Sequence, residues 1–209
     1  MDLTLYVVTD REISGRSHED QVDAAISGGA TVIQLREKAL SARDAVAIGR
    51  RIVAICRQSG VPFIVNDRAD VAAACGADGV HLGQDDLPIP AARQILGRGK
   101  LIGASAGTIK DAQRAAADGA DYLGVGSVFA SSTKADAGEP IGIAGLAAIV
   151  RAVRVPVVGI GGITAENAAD VISAGAAGVA VVAAVVGQDD IAGAAKRLRE
   201  RIDAARDGR

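Results

Sequence analysis

The apolar positions of the chain fall into eight short runs separated by longer, alanine-rich segments. Four of these runs each follow a Gly-Ala pair, at residues 29–30, 76–77, 119–120 and 175–176. A glycine can take the left-handed conformation that ends a helix, so each pair is typical of a helix-to-strand junction. The other four runs lie between these junctions, at residues 5–9, 62–66, 101–104 and 156–160. The pattern predicts eight strands.

The alanine-rich segments have the spacing of helices, and most begin at a Ser, Thr or Asp cap. Ser41 and Asp44 open one of them in the form of a capping box, with Asp in place of Glu. The predicted helices cover residues 17–28, 41–58, 68–75, 88–97, 109–118, 142–153, 165–174 and 189–206.

Eight strands that alternate with eight helices predict an α/β chain folded as a single (β/α)8 TIM barrel. An open, doubly wound sheet is the structural alternative. Its glycine-rich dinucleotide fingerprint should follow the first strand, but residues 10–15 do not have that form. The sequence contains no linker or low-complexity tract, so we expect one catalytic domain over residues 1–209.

The amino-acid composition argues against nucleic acids and membrane surfaces as binding partners. A net charge of −2 and 2% aromatic residues argue against a nucleic-acid or membrane-surface binder. Cys56 and Cys75 lie in apolar stretches without metal-ligand spacing, and are expected to be small buried residues. No signal peptide or membrane-spanning run is recognised, so we expect a cytoplasmic protein that acts on small molecules. The oligomeric state is not determined by the sequence, and a homo-oligomer stays open.

The second predicted strand ends in three polar residues that share one face because side chains alternate along a strand. Gln34, Arg36 and Lys38 offer an amide, a guanidinium and an ammonium to one space. Such a set suits a multiply charged oxyanion, since Arg binds phosphate through a planar fork and Lys adds a point charge. The alternative is a strand that runs out into solvent. Other strand ends at the same predicted mouth are also polar, which favours the anion site.

Carboxylates follow two neighbouring predicted strands. Asp67 ends the third strand, and Asp85 and Asp86 follow the fourth. Carboxylates at adjacent strand ends suit Mg²⁺, which takes few protein ligands and completes its shell with water and substrate phosphate. One of Asp85 and Asp86 is expected instead to cap the helix that Pro88 opens. Asn66 is either a strand-end cap or a substrate ligand.

The last two predicted strands end in a pattern typical of a monophosphate site. Gly161 and Gly162 let backbone amides approach an anion, and the eighth strand runs through Val182 into a possible short helix at Ala183. Two tight turns are the alternative. The loop after strand six adds hydroxyl groups and an ammonium, at Ser131, Thr133 and Lys134. An ordinary polar loop is the alternative there.

The chain has two histidines, and neither belongs to a recognisable catalytic set. His18 lies at a helix start and is expected to be solvated, whereas His81 lies inside strand four and is expected to be a hydrogen-bonded interior residue rather than a base. Without a Ser-His-Asp set or Cys-His pair, the chemistry should depend on metal and cations with little proton transfer.

Five motifs resemble those of the thiamine-phosphate synthase (thiamine-phosphate pyrophosphorylase) family, in the family's order and over nearly the whole chain. They lie at residues 34–38, 65–67, 79–86, 124–129 with 131–134, and 160–163. The resemblance implies a transferase of thiamine biosynthesis that joins a hydroxymethylpyrimidine diphosphate to a thiazole monophosphate and releases diphosphate. In the family's reaction, diphosphate leaves, a pyrimidine-stabilised cation forms, and the thiazole nitrogen attacks it. The thiazole substrate could also be a carboxylated form.

The resemblance also implies roles for individual residues. The pyrimidine diphosphate would be held by Gln34, Arg36, Lys38 and Asn66. Mg²⁺ would be held by Asp67 and Asp86. Arg36, Lys38, Ser105 and Lys134 would act on the substrate phosphates as the catalytic groups.

The thiazole phosphate would be held by Ser131, Thr133, Gly162, Val182 and Ala183. The family often has Thr at position 131, Ser at position 183 and His or Thr at position 107, where this chain has Ser131, Ala183 and Gly107. A hydroxyl is therefore kept at 131, but only a backbone amide remains at 183.

Two other functions stay open at this point. A thiazole tautomerase would share the barrel, but its reaction moves a proton and needs a base such as His81. A non-catalytic protein that binds thiamine precursors is the second alternative. The complete set of diphosphate and metal residues favours the synthase over both.

Overall fold

The computed structural model describes residues 1–131 and 139–208. Its eight strands are all parallel and close into a barrel in chain order, β1 to β8, with β8 paired to β1. The (β/α)8 prediction is therefore confirmed. The strands are β1 (Leu5–Thr9), β2 (Val32–Leu35), β3 (Phe63–Asn66), β4 (Gly79–Leu82), β5 (Leu101–Ala106), β6 (Tyr122–Val125), β7 (Val157–Ile160) and β8 (Gly178–Val181).

Within the described residues, the eight predicted helices are present and two short ones are added. They are α1 (Arg11–Ser14), α2 (His18–Ser27), α3 (Ala42–Ser59), α4 (Ala69–Cys75), α5 (Ile89–Leu96), α6 (Ile109–Ala117), α7 (Gly142–Ala152), α8 (Ala168–Ser173), α9 (Ala183–Val186) and α10 (Ile191–Asp207). The short helix considered at Ala183 is α9, whereas α1 is not anticipated by the sequence pattern.

Side-chain caps begin the helices where the sequence predicts them. Ser41 Oγ accepts a hydrogen bond from Asp44 N and donates one to Asp44 Oδ2, so Ser41 caps α3 as predicted and Asp44 bonds to its hydroxyl group. Ser17 and Thr108 cap α2 and α6 in the same way. These bonds satisfy amide groups that have no partner within the first turn of a helix.

The alternation of side chains along the strands divides the core into two layers. On β1, Leu5 and Val7 belong to the large cluster between the barrel and the helices, whereas Tyr6 and Val8 belong to a smaller cluster with residues of other strands. This second set, the barrel interior, also includes Val32, Ile64, Tyr122, Val158 and Ala180. Two tyrosines thus lie where such barrels are commonly filled with branched aliphatic residues.

Both cysteines are buried, as predicted. Burial raises the pKa of the Cys56 thiol to about 12 and also raises that of Cys75. Neither thiol is ionised near neutral pH, which suits small apolar side chains. Among the described residues, no helix is long and apolar enough to cross a membrane.

The glycine at position 103 generates a prediction about stability. A Cβ atom at Gly103 would lie 2.1 Å from Tyr122 Cζ and 2.5 Å from His81 Nδ1, both in the barrel interior. We expect Gly103→Ala to lower the free energy of unfolding in urea by about 1–3 kcal/mol, the usual cost of overpacking. Gly107→Ala is the matched control, because its Cβ would meet nothing within 4 Å. Equal stability of the two variants would contradict this assignment.

Candidate active site

The three predicted anion-binding residues at the end of β2 become more exposed in chain order, from the barrel interior to solvent. Gln34 is buried and donates from Nε2 to the Tyr6 hydroxyl at 2.8 Å. Arg36 is half-buried, and Lys38 is exposed. An elongated anion could therefore contact all three groups, with its least polar end deepest in the mouth.

Arg36 is held in place by Asp10, a residue to which sequence reasoning gave no role. Asp10 Oδ1 accepts from the backbone amides of Glu12 and Ile13 and so caps α1, while its Oδ2 pairs with Arg36 Nη1. Arg36 Nε is buried and has no hydrogen-bond partner. Asp10 thus fixes one side of the guanidinium, which would leave the remaining donors for a substrate oxyanion. An Asp at a strand end beside Arg36 is the signal that could have identified it.

His18 corrects a sequence expectation, because it is buried and not solvated. Its Nδ1 lies 2.8 Å from Thr9 Oγ1, and its Nε2 lies 3.3 Å from Glu37 Oε2. A position at a helix start usually faces water, but here the first turn of α2 packs against the ends of β1 and β2. His18 therefore connects these two strand ends beside Arg36.

Burial is the main influence on the His18 pKa and lowers it, although Glu37 opposes the effect. Burial alone would raise the pKa of Glu37. The Ala39 amide and His18 outweigh that effect, and the Glu37 pKa is lowered. The pair therefore carries an ionised carboxylate beside a largely neutral imidazole near neutral pH.

The two proposed metal ligands both lie against the end of β4. Asp67 N donates to His81 O at 2.8 Å, and Asp86 Oδ2 accepts from Gly83 N at 2.6 Å. Asp67 has a φ of 63°, and it is the one non-glycine residue with positive φ in the described part of the chain. Such a backbone costs about 1–3 kcal/mol and is found preferentially at functional sites. The fold thus holds Asp67 in an unfavourable conformation at the mouth.

Neither Asp85 nor Asp86 caps α5, so that expectation was wrong. The helix begins after Pro88 without a side-chain cap, because Pro88 itself occupies the N-cap position and both carboxylates lie before it, with Asp86 bonded to the Gly83 amide. Groups of three or more His, Cys, Asp or Glu that could hold a metal are not found in residues 1–131 and 139–208.

His81 is a hydrogen-bonded interior residue, as predicted. Its Nε2 lies 3.0 Å from Ser105 Oγ and its Nδ1 lies 3.2 Å from the Tyr122 hydroxyl. Ser105 is half-buried on β5, and Asn66 is half-buried on β3 with Cα paired in register to His81. Ser105 and Asn66 therefore flank His81 from the two neighbouring strands.

The loop after β7 turns through two glycines and packs closely against the loop after β6. Gly161 and Gly162 have φ of 97° and 65°, and a Cβ at Gly162 would lie 2.4 Å from Ala130 O. Asn167 fixes this loop by donating to Gly162 O at 3.0 Å and accepting from Thr164 N at 2.8 Å. Sequence reasoning missed Asn167, although an Asn after a Gly-Gly pair could have suggested a loop clamp.

Three further predicted residues, Val182, Ala183 and Ser131, lie at the same end of the barrel. Val182 is half-buried directly after β8, and Ala183 is exposed at the start of α9. Ser131 is half-buried in the loop after β6. Thr133 and Lys134 lie outside the described residues, so their predicted positions at the mouth stay predictions.

The burial of His18 predicts how stability depends on pH. Because the native state holds His18 with a lowered pKa, it binds fewer protons than the unfolded chain, and the free energy of unfolding should fall as pH drops below about 6.5. We expect His18 to titrate below 6.5 in an NMR experiment. We also expect the wild type to lose more stability between pH 7 and 5 than His18→Asn, which has the same carboxylates. A midpoint at or above 6.5, or parallel stability profiles, would contradict the assignment.

Comparisons with known proteins agree on one family. A family model described as thiamine monophosphate synthase matches residues 5–185. A thiamine-phosphate synthase from Moorella thermoacetica is 56% identical over 203 residues, or 97% of each chain. One from Methanoculleus marisnigri is 54% identical and covers 99% of this chain and 98% of its own.

A solved structure gives the same result. A thiamine phosphate pyrophosphorylase from Pyrococcus furiosus superposes with a TM-score of 0.91 at 42% identity, covering 98% of this chain and 97% of its own. The sequence motifs, the closed barrel and these likenesses together establish that the chain belongs to the thiamine-phosphate synthase family.

Proposed function

We propose that this chain, a transferase, joins 4-amino-2-methyl-5-hydroxymethylpyrimidine diphosphate to 4-methyl-5-(2-phosphoethyl)thiazole, giving thiamine phosphate and diphosphate. The proposal depends on one observation, the set of Gln34, Arg36 and Lys38, whose exposure to solvent increases in that order. These residues share one mouth with the carboxylates of Asp67 and Asp86. A diphosphate with a bound cation needs both groups together. The family membership supports the same reaction.

The pyrimidine diphosphate would lie along β2 with its ring toward the interior. Gln34 and Asn66, on neighbouring strands, would contact the ring, since amide groups can both donate and accept hydrogen bonds. Arg36 and Lys38 would bind the diphosphate, whose charge needs the more exposed positions. Ser105 and Lys134 would complete the contacts to the phosphate oxygens.

Asp67 and Asp86 would hold Mg²⁺, and the chemistry of the donors fits the ion. Carboxylate oxygens are hard ligands, and Mg²⁺ is commonly bound through one or two carboxylates together with substrate phosphates. The unfavourable backbone of Asp67 is an observation that supports a functional role for its carboxylate. When bound, the ion would add positive charge beside the leaving diphosphate.

The thiazole phosphate would lie on the other side of the mouth, between the loops after β6, β7 and β8. Gly162 and the backbone at Val182 and Ala183 would supply amide donors, which is the usual arrangement of phosphate sites in this barrel. Ser131 and Thr133 would add hydroxyl groups. The absence of a hydroxyl at Ala183 leaves only a backbone contact there.

The reaction needs charge stabilisation more than proton transfer. The C–O bond to diphosphate breaks with its electron pair on the leaving group, and the thiazole nitrogen forms the new C–N bond with its own lone pair. No proton has to be removed in these steps. Arg36, Lys38 and Lys134 would stabilise the departing diphosphate as its charge grows.

The alternative of a thiazole tautomerase would assign a base to the same mouth. His81 is the candidate, but both of its ring nitrogens already have hydrogen-bond partners on β5 and β6. A non-catalytic binding protein would not need the metal pair. The synthase accounts for more of the residues at the mouth, and we place its action on small molecules in the cytoplasm, in one barrel domain over residues 1–209.

Reconstitution tests this function directly. We expect diphosphate and thiamine phosphate to form only when protein, Mg²⁺ and both substrates are mixed, because a cation that meets no thiazole recombines with the diphosphate held beside it. Product analysis by chromatography would check it. Tight binding without turnover would favour the carrier, and proton exchange on the thiazole without pyrimidine would favour the tautomerase.

The metal assignment predicts a contrast among three carboxylates. Asp67→Asn and Asp86→Asn should lower kcat/KM by about two orders of magnitude, since the ion's charge stabilisation is worth several kcal/mol. Asn tolerates the left-handed backbone at 67 and keeps an acceptor for the Gly83 amide at 86, so the fold should persist. Asp85→Asn is the matched control, with a small effect expected. Full turnover in excess chelator, or a larger loss in Asp85→Asn, would overturn the assignment.

The proposed contact of Arg36 with the diphosphate predicts that Arg36→Lys lowers kcat/KM for the pyrimidine diphosphate more than for the thiazole phosphate. This change keeps the charge but removes the planar fork that Asp10 orients. A charge-assisted hydrogen bond is worth about 1.5–3 kcal/mol, so kcat/KM for the pyrimidine diphosphate should fall roughly 10- to 150-fold. Steady-state kinetics should show a much smaller change in KM for the thiazole phosphate. Equal changes for both substrates would contradict the assigned role.

A further inference from the structure

Five side chains from five strands form a continuous hydrogen-bonded chain across the barrel interior. Gln34 Nε2 donates to the Tyr6 hydroxyl at 2.8 Å, and the Tyr6 and Tyr122 hydroxyls are 2.8 Å apart. The Tyr122 hydroxyl is 3.2 Å from His81 Nδ1, and His81 Nε2 is 3.0 Å from Ser105 Oγ. The chain joins Gln34 to Ser105, two residues of the proposed pyrimidine diphosphate site.

The barrel provides specific space for this polar chain. Tyr6 and Tyr122 are fully buried, and their ring centroids are 5.8 Å apart. A Cβ at Gly103 would overlap Tyr122, and a Cβ at Gly124 would lie 2.9 Å from His81 Cε1. Glycines on β5 and β6 thus make room for the rings of Tyr122 and His81, and the hydrogen-bonded side chains pack closely against these strands.

The direction of the hydrogen bonds follows from the number of protons. The Gln34 amide nitrogen can only donate, so Tyr6 accepts from it. Between the two tyrosine hydroxyls, donation from Tyr6 to Tyr122 is the arrangement that gives the buried Tyr6 proton a partner, and an unpaired buried donor is costly. Tyr122 then donates to His81 Nδ1, which places the imidazole proton on Nε2, where it is donated to Ser105 Oγ. Ser105 keeps one hydroxyl proton, which is available to a group at the mouth. Burial raises the pKa of both tyrosines, so each keeps its proton near neutral pH.

We propose that Tyr122 is a positioning residue, which donates to His81 Nδ1 and so sets the hydrogen-bond direction toward Ser105. This bond places the imidazole proton of His81 on Nε2 and directs the Ser105 hydroxyl proton toward an oxyanion at the mouth. That this oxyanion is the substrate diphosphate rests on the proposed function. The reverse direction would place the proton on His81 Nδ1 and let Nε2 accept from Ser105, which is the arrangement a general base needs.

The tautomer of His81 tests the direction without substrate. The chain contains two histidines, so the protein labelled with ¹⁵N in its imidazole rings gives few signals, and His18→Asn assigns them. We expect His81 in the wild type at neutral pH to be the Nε2–H tautomer. A dominant Nδ1–H tautomer or an imidazolium would overturn the proposal.

Two tyrosine variants separate positioning from general packing. Tyr122→Phe removes the donor to Nδ1, so the His81 tautomer should become mixed, whereas Tyr6→Phe leaves that donor in place and should keep the wild-type tautomer. Both variants lose one buried hydroxyl, which makes them matched. The same tautomer in all three proteins would overturn the proposal. If Tyr122→Phe does not fold, the wild-type spectrum alone still decides the direction.

A double-mutant cycle tests the effect on the substrate. Ser105→Ala should lower kcat/KM for the pyrimidine diphosphate about 10- to 100-fold, and Tyr122→Phe should lower it less. Because Tyr122 acts through Ser105, Tyr122→Phe should cause no further loss in the Ser105→Ala background. Additive losses would overturn the proposal. Absence of any synthase activity would instead reject the proposed function, and the tautomer measurement would still test the direction.

Discussion

The parallel register of the barrel is the constraint on which the site depends. Each strand pairs with the next in chain order, and Leu5 of β1 pairs with Val179 of β8 to close the ring. Parallel pairing brings every carboxyl end to the same rim. Residues as distant in sequence as Asp10, Arg36 and Asp86 therefore lie at one mouth. The loops carry the functional side chains, and the register of the strands determines which loops lie next to one another at the mouth.

The interior and the mouth supply different kinds of group to this chemistry. The mouth carries charges, with the Arg36 guanidinium fixed by Asp10 and the carboxylate of Asp86 fixed by the Gly83 amide. The interior carries neutral groups that bond to one another, since burial keeps both tyrosines protonated. A site with fixed charges over a neutral interior suits a reaction that separates charge, because preorganised donors need little rearrangement as the charge develops.

Sequence reasoning recovered what depends on local pattern and failed where distant contacts decide. The strands and the caps at Ser17, Ser41 and Thr108 follow from alternation and turn chemistry, and the structure confirms them. The cap expected from Asp85 or Asp86 is not formed at α5. His18 was expected in solvent because its own helix start suggests that, but its ring is buried and bonds to Thr9 and Glu37. The chain through Tyr6 and Tyr122 joins residues 116 positions apart, so no local pattern could reveal it. The family resemblance supplied the substrate roles, which the pattern alone left open.

The central claim is that the protein stabilises charge separation as diphosphate leaves, before the thiazole nitrogen attacks. Single-turnover kinetics with a pyrimidine diphosphate that carries trifluoromethyl in place of the 2-methyl group tests it most directly. The substituent withdraws electrons from the forming cation but leaves the diphosphate contacts intact. The account predicts a chemical step slower by orders of magnitude, since about 1.4 kcal/mol of barrier is tenfold in rate, with little change in substrate affinity. A rate within a few-fold of that with the parent substrate would contradict the account.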